Sequence, residues 1–209
     1  MVQGRRQTVR GFVLAGGASA RFGRDKALVE FDGRPMLLRM RDLVRGVLGR
    51  VTVIARPGKY TSIGVESVAD RWPGEGPLGG ILTALLSNDS SERLGWNLVV
   101  GCDMPFLTRD CLGFLAKQAT ASDAEVLVPR SASGLEPLCA CWRASTAEKL
   151  RKIFDSGTRK ITDAMKQFKM EIVDEPDWKR FDSTGRLFWN MNTVADYQEA
   201  RRILEAKQA

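Results

Sequence analysis

The chain has 209 residues, 44% of them apolar and 27% charged, with a formal net charge of +7 and a pI near 9.5. That length and balance fit an ordinary globular chain able to bury a core without disulfide staples, and a single domain over residues 1–209 is expected. The sequence contains no histidine, which excludes the commonest general base, the commonest zinc ligand and every Ser-His or Cys-His nucleophile.

In chain order, Arg5-Arg6 and the small Ala18-Ser19-Ala20 imitate an export signal. The apolar stretch between them, residues 11–15, is shorter than the roughly seven to fifteen residues of such a segment, and Arg21 follows at once; a cytoplasmic chain is therefore expected. Residues 11–15 read instead as a buried strand, and 35–48 as an amphipathic helix opened by Pro35. Residues 51–55 carry a second strand pattern and 65–68 a shorter third. After the turn-rich Trp72-Pro73-Gly74-Glu75-Gly76-Pro77, residues 78–86 look helical. A strand at 96–100 and a helix at 109–119 follow, then strand-like runs at 125–129 and 137–142. Helices at 145–154 and 160–168, a strand at 170–173 and a closing helix at 194–206 complete the pattern. Strands alternating with helices of about 10–15 residues predict a three-layer, Rossmann-like α/β fold: a mainly parallel sheet with helices on both faces. No run approaches the ~20 apolar residues of a membrane span, and no membrane partner is expected.

The positive charge favours anionic partners such as nucleotides or phosphorylated metabolites. Lys and Arg are dispersed along the chain and no nucleic-acid-binding motif is recognisable, so nucleic acid is not an expected partner. Cys102, Cys111, Cys139 and Cys141 form no CxxC pair, and Cys139 and Cys141 share one face of a strand. Buried, reduced thiols are the expected state.

In a sheet of this kind ligands lie beyond the carboxyl ends of the strands, near the point where strand order reverses. That rule directs attention to Gly16 onward, to residues 54–56, to Asp70 and to Gly101-Cys102-Asp103. Gly16 and Gly17 allow close backbone approach, and Ala18, Ser19 and Ala20 keep the loop slim enough for amides to face an anion. Arg21 and Lys26 add cations, a combination suited to a triphosphate; a tight strand-to-helix turn with surface charges fits the same spacing. Neither the P-loop pattern nor GxGxxG is present, which argues against a GTPase, an ATPase or a dehydrogenase.

Asp103, followed by Met104-Pro105, suits magnesium, which takes one or two protein oxygens plus phosphate and water; an Asx-turn or helix cap is equally open. Asp110 reads as a first-turn residue of the next helix. Asp70 is open to a ligand or a turn role, and the amides after Pro77 are free to meet an anion. Asn190 and Asn192 are two apart in an extended stretch, face one way, and offer donors and acceptors to a substrate. Thr193 with Asp196 has the spacing of a helix cap.

Taken together, Leu14-Ala15-Gly16-Gly17-x-Ser19-x-Arg21-Phe22-Gly23-x-Asp25-Lys26-Ala27-Leu28 resembles the signature loop of the molybdenum cofactor guanylyltransferases, the MobA-like family within a broader group of nucleotidyltransferases. The resemblance continues through Phe31-Asp32-Gly33-Arg34-Pro35-Met36-Leu37, Gly76-Pro77-Leu78-Gly79-Gly80, Cys102-Asp103-Met104-Pro105-Phe106-Leu107 and Asn190-Met191-Asn192-Thr193, covering residues 10–205. It implies a fold of the nucleotide-diphospho-sugar transferase type and transfer of GMP from GTP to the terminal phosphate of molybdopterin or Mo-molybdopterin, with release of pyrophosphate. Arg21 and Lys26 would then bear on the phosphates and Asp103 would hold Mg²⁺. Leu14, Ala15, Gly16, Gly17, Lys26, Asp70 and Asp103 would contact the nucleotide, while Asn190 and Asn192 would line the substrate. Molybdoenzyme-maturation proteins are among the partners it suggests. A phosphate monoester is already anionic at neutral pH, so the missing histidine is no obstacle. Cytidylyl relatives read Leu-Ala-Ala-Gly where this chain reads Leu14-Ala15-Gly16-Gly17, and the extra glycine leaves room for a purine. Departures from the family are Val194, where proline is common, and Ile54, where some relatives carry a polar nucleotide contact. Two other readings share the loop: a cytidylyl- or guanylyltransferase for another phosphorylated acceptor, and a non-catalytic nucleotide sensor.

Overall fold

The central strand Val9–Leu14 (β1) is flanked on both sides, and its side chains divide between two cores. Phe12 and Leu14 point to one face of the sheet; Val13 and Ala15 point to the other, as the two-residue period of a strand requires. The structure is a computed structural model in which residues 8–16, 23, 25–87 and 95–208 are described.

The remaining strands are Glu30–Phe31 (β2), Arg34–Pro35 (β3), Val51–Ala55 (β4), Val68–Ala69 (β5), Trp96–Gly101 (β6), Val126–Ser131 (β7), Gly134–Leu135 (β8), Cys139–Arg143 (β9) and Met170–Val173 (β10). β2 and β3 form a separate hairpin around Asp32 and Gly33, both with positive φ, as an Asp-Gly turn of this kind demands. The other eight make one sheet in the order β10-β7-β9-β6-β1-β4-β5, with β8 paired to β7. β1 runs parallel to β4 and β6, and β10 parallel to β7. β9 runs antiparallel to β6 and β7, and β8 antiparallel to β7, so the sheet is mainly parallel as expected.

Helices Met36–Leu48 (α1) and Arg109–Ala121 (α3) cover one face. Leu37, Met40 and Val44 of α1, and Cys111, Leu112 and Leu115 of α3, pack on Val13, Val53, Leu98, Val100, Cys139 and Cys141. Helices Pro77–Leu86 (α2), Ala147–Asp155 (α4) and Ile161–Met165 (α5) cover the other, where Leu78, Ile81, Leu82, Leu150 and Met165 meet Phe12, Leu14, Val99, Val128 and Trp142. Fully burying each such side chain stabilises the fold by roughly 1.5–3 kcal/mol. Gly80 lets α2 approach β1 closely, because a Cβ there would lie 3.3 Å from the Leu14 side chain. After the short helix Glu175–Trp178 (α6), the closing helix Val194–Gln208 (α7) joins the β2–β3 hairpin through Phe31, Met36, Met191 and Ala200. No helix among the described residues is long and apolar enough to cross a membrane.

Several expected boundaries move. The strand expected at 65–68 is Val68–Ala69; Val65 is apolar because it is buried in the core, with its N–H bonded to Tyr60 O at 3.1 Å, and not because it belongs to the sheet. The helix expected from 145 opens with a 3-10 turn, Ala144–Thr146, before α4. The helix expected over 160–168 keeps its α form only to Met165, after which the N–H groups of Gln167 and Phe168 bond three residues back. The strand expected from 137 starts at Cys139, because the Leu138 carbonyl instead accepts from Gly101 N at 2.8 Å.

Candidate active site

β1 lies between β4, which follows it in the chain, and β6, to which the chain returns later, so strand order reverses beside β1. A crevice opens at such a point. Leu14 is in register with Gly101, so Ala15-Gly16 and Cys102-Asp103 leave the sheet side by side. Cys102 N–H donates to Leu14 O at 3.2 Å, which ties the two exits together. A Cβ on Gly101 would sit 2.9 Å from Asp103 Oδ1, so glycine at this position allows the Asp103 carboxylate to turn back over the strand end.

Lys26 reaches the same point from a short 3-10 turn, Lys26–Leu28, whose first free N–H, that of Ala27, is capped by Asp25 Oδ1 at 3.1 Å. Lys26 Nζ donates to Asp103 Oδ2 at 3.3 Å and to Asn192 Oδ1 at 2.9 Å. The Met191 N–H donates to Asp103 O at 2.9 Å. Segments 77 and 166 residues away from Lys26 are thus joined by one ammonium group. The Lys26 and Asp103 side chains retain only 19% and 18% of their exposure, so their attraction is screened less than that of a surface pair.

Beneath this contact is a network absent from the sequence expectations. Tyr60, fully buried, donates its hydroxyl to Ala15 O at 2.8 Å and lies 3.1 Å from Asp25 Oδ2. Lys59 pairs with the same carboxylate at 2.7 Å. Burial, and then the adjacent Asp25 charge, hold the Tyr60 phenol far above its ordinary pKa, so it remains a donor. The end of β1 and the turn that carries Lys26 are thereby fixed to each other. Burial, and next the Asp103 carboxylate, push the Cys102 thiol up, so it is no nucleophile at neutral pH.

Of the residues singled out from sequence, Leu14, Ala15, Gly16, Lys26 and Asp103 line one small cleft of about 110 Å³ with Asp25, Pro77 and Leu138. Gly17 and Arg21 lie outside the described residues. Gly16 is exposed, its φ is not in the left-handed region, and a Cβ on it would meet no described atom within 4 Å. No described residue therefore demands glycine there. Asp70 does not line this cleft among the described residues; its Oδ1 accepts from Trp72 N and Thr83 Oγ1, both at 3.0 Å, closing the turn before α2. Ile54 is buried under α2 as a core residue. Thr193 and Asp196 cap α7 reciprocally: Asp196 Oδ2 accepts from Asn192 N and Thr193 N, and Thr193 Oγ1 accepts from Asp196 N at 3.1 Å. That cap starts the helix without the proline common at position 194 in the resembled family. Thr108 caps α3, with Asp110 in its first turn.

Asn190 and Asn192 both line a second, larger cleft of about 410 Å³, with Glu136, Leu138, Phe188 and Trp189. Leu138 is common to both clefts, and the Lys26–Asn192 hydrogen bond crosses from one to the other. Sequence reasoning missed Glu136 and the aromatic pair, which no local spacing distinguishes.

The donor set bears on a metal. Among the described residues no group of three or more acidic or thiol side chains could enclose an ion, which rules out a protein cage of the calcium or zinc type in that part of the chain. One carboxylate beside a phosphate-sized crevice does suit Mg²⁺, which takes most of its shell from water and phosphate oxygens. Asp103 is the residue that would hold it.

Comparisons with known proteins bear on the family and the fold. A model of the MobA-like NTP transferase domain matches residues 11–171. A probable molybdenum cofactor guanylyltransferase of Clostridium perfringens is 31% identical over 192 residues, covering 90% of this chain and 93% of that protein. One of Chloroflexus aggregans is 32% identical, covering 93% and 94%. The crystal structure of molybdopterin-guanine dinucleotide biosynthesis protein A from Archaeoglobus fulgidus superposes with a TM-score of 0.78 at 25% identity, covering 94% of this chain and 99% of that one.

Proposed function

Because the chain belongs to the MobA-like NTP transferase family, we propose that it transfers GMP from GTP to the terminal phosphate of molybdopterin, or of its molybdenum-loaded form. An oxygen of the acceptor phosphate attacks the α-phosphorus, the bond from that phosphorus to the bridging oxygen breaks, and pyrophosphate leaves. The observation that carries this reading is the convergence of Lys26, Asp103 and Asn192 where the two clefts meet.

The nucleophile is an anion at neutral pH, so the chain needs no base and positioning and charge stabilisation carry the rate. Lys26 steadies phosphate charge, and Asp103 and Asn192 help hold the ammonium at the junction. Arg21, by the resemblance, adds a second cation. Ala15 and Gly16 let the nucleotide approach the backbone, and no described residue crowds Gly16, which lines the cleft. Asp103 would hold Mg²⁺, which when bound supplies charge neutralisation to the triphosphate. We extend the proposal to a cytoplasmic enzyme that hands its product to molybdoenzyme-maturation proteins.

The test is an incubation of the purified chain with molybdopterin, Mg²⁺ and each of the four nucleoside triphosphates, with the product identified by mass. A guanine dinucleotide from GTP alone is expected. Equal or better use of CTP overturns the base assignment, and consumption of GTP only with a different phosphorylated acceptor overturns the acceptor.

A further inference from the structure

Among the described residues Glu136 is the one charged side chain that is buried, at 7% exposure. Its backbone is fixed by a 2.8 Å hydrogen bond from its N–H to Pro129 O and a 3.0 Å bond from Cys139 N to its carbonyl. Ser131 Oγ donates to Oε1 at 2.5 Å. Oε2 accepts no hydrogen bond from a described residue, and no described cation pairs with the carboxylate. Burial raises the carboxyl above its ordinary range, with the Ser131 hydrogen bond opposing. Taking a carboxylate out of water without a cation destabilises the folded chain, and nothing in the surrounding packing calls for it.

A second acceptor nearby is also unsatisfied. Asn190 Oδ1 is buried with no partner, while Nδ2 is committed, at 3.4 Å, to Phe188 O and so fixes which end of the amide is left over. Glu136 and Asn190 line the same cleft of about 410 Å³, between Leu138 and the aromatic Phe188 and Trp189. Trp189 is held by a near-parallel stack on Phe106, with centroids 6.2 Å apart. The cleft ends at Asn192, which touches Lys26. A carboxylate with no described cation and an amide oxygen with no partner, in a cleft that also contains the Lys26-bound Asn192, call for a flat ring with adjacent N–H donors on one edge and a phosphate on the other side.

We propose that Glu136 and Asn190 determine acceptor specificity by reading the donor edge, the 2-amino and N3–H groups, of the pterin ring. The inference rests on the reading of the acceptor as a phosphorylated pterin. Glu136 takes the two parallel N–H groups as a carboxylate takes a guanidinium fork, and Asn190 Oδ1 accepts the remaining amino hydrogen. A pteridine with a carbonyl in place of the 2-amino group would turn an oxygen towards the carboxylate and be rejected.

The test uses 6-hydroxymethylpterin phosphate and the matching lumazine phosphate, in which oxygen replaces the 2-amino group, titrated calorimetrically into wild type and Glu136→Gln. GTP affinity, measured alongside, reports that the near-isosteric variant is folded. Wild type is expected to bind the pterin at least about tenfold more tightly than the lumazine, and E136Q to lose that preference with GTP affinity unchanged; tenfold is what one hydrogen bond to a charged group supplies. Pterin affinity in E136Q within twofold of wild type overturns the proposal, as does wild type that binds the two pteridines alike or binds neither. Guanylyl transfer to molybdopterin, run in parallel, separates the two readings. Transfer that survives E136Q intact sinks the specificity role alone, whereas Glu136-dependent pterin binding without any transfer sinks the enzymatic reading alone.

Discussion

On the side of β1 and β6 the crevice is lined by backbone, by Gly16 and by Lys26, together with the carboxylates of Asp25, paired with Lys59, and of Asp103, paired with Lys26. On the side of β7 and β8 it is lined by Glu136, the amide oxygen of Asn190 and aromatic rings. The first surface offers backbone, one lysine and a carboxylate able to hold a cation; the second waits to accept hydrogen bonds. With a cation held by Asp103 a phosphate chain would suit the first, and a donor-edged heterocycle suits the second. The junction, where Lys26 touches both Asp103 and Asn192, is where an acceptor phosphate would meet an α-phosphorus.

The largest expected break in this division is at Asp103. Asp103→Ala removes the carboxylate that accepts from Lys26 at the junction and should lower pyrophosphate release on the order of 100-fold or more, by analogy with the loss of a preorganised charged group. The measurement is turnover against Mg²⁺ concentration. Near-normal turnover in D103A at saturating Mg²⁺ would remove the metal-holding role and leave Asp103 as a simple anchor for Lys26.

The two surfaces also differ in how far they could be read from sequence. The proposed nucleotide side was legible because its motif is local: residues 14–28 are contiguous in sequence, and Asp103 stands one residue past Cys102 at a strand end. Glycine, small residues and cations within one loop also fit a tight strand-to-helix turn, and it is the resemblance over the whole run that gave the loop its reading. Tyr60 was not legible, since a buried aromatic looks the same in sequence whether or not its hydroxyl supports a loop. Glu136 was still less so, because its meaning lies in burial that only tertiary packing creates. The asparagines fall between these cases. Spacing placed them on the substrate, but no periodicity could have joined Asn192 to Lys26 across 166 residues. The sheet divides in the same way: long buried strands such as β6 were clear, while two-residue strands such as β5 carry too little pattern to fix a boundary.

Asn192 sharpens the comparison, because it belongs to both surfaces. Asn192→Leu keeps the size of the side chain and deletes the acceptor for Lys26 Nζ, so the ammonium loses its 2.9 Å anchor. About a tenfold fall in kcat/KM is expected for GTP and acceptor alike, the value of one hydrogen bond to a charged group. A change confined to the acceptor KM would assign Asn192 to the heterocycle side and leave Lys26 positioned by Asp103.

The smallest effect is expected one turn further on, where the α7 cap supports this junction from outside. Burial would raise the Asp196 carboxyl, but hydrogen bonds from the N–H groups of Asn192 and Thr193, and from Thr193, outweigh it and hold the group below its ordinary range. A carboxyl depressed on folding adds stability above the ordinary carboxylate range, and that contribution is lost as pH falls through the folded value. Asp196→Ala should therefore cost about 1 kcal/mol at pH 7, typical of a lost helix cap, in urea unfolding. The deficit should shrink as the pH is taken below that range. Turnover should change much less than in N192L, because the Asn192 side chain still has Lys26 to hold it. A deficit equal at pH 7 and in acid would mean that the cap works by shape and not by charge. A loss of turnover as large as that of N192L would instead make the cap a part of the junction, with the helix start and the Lys26 anchor moving as one unit.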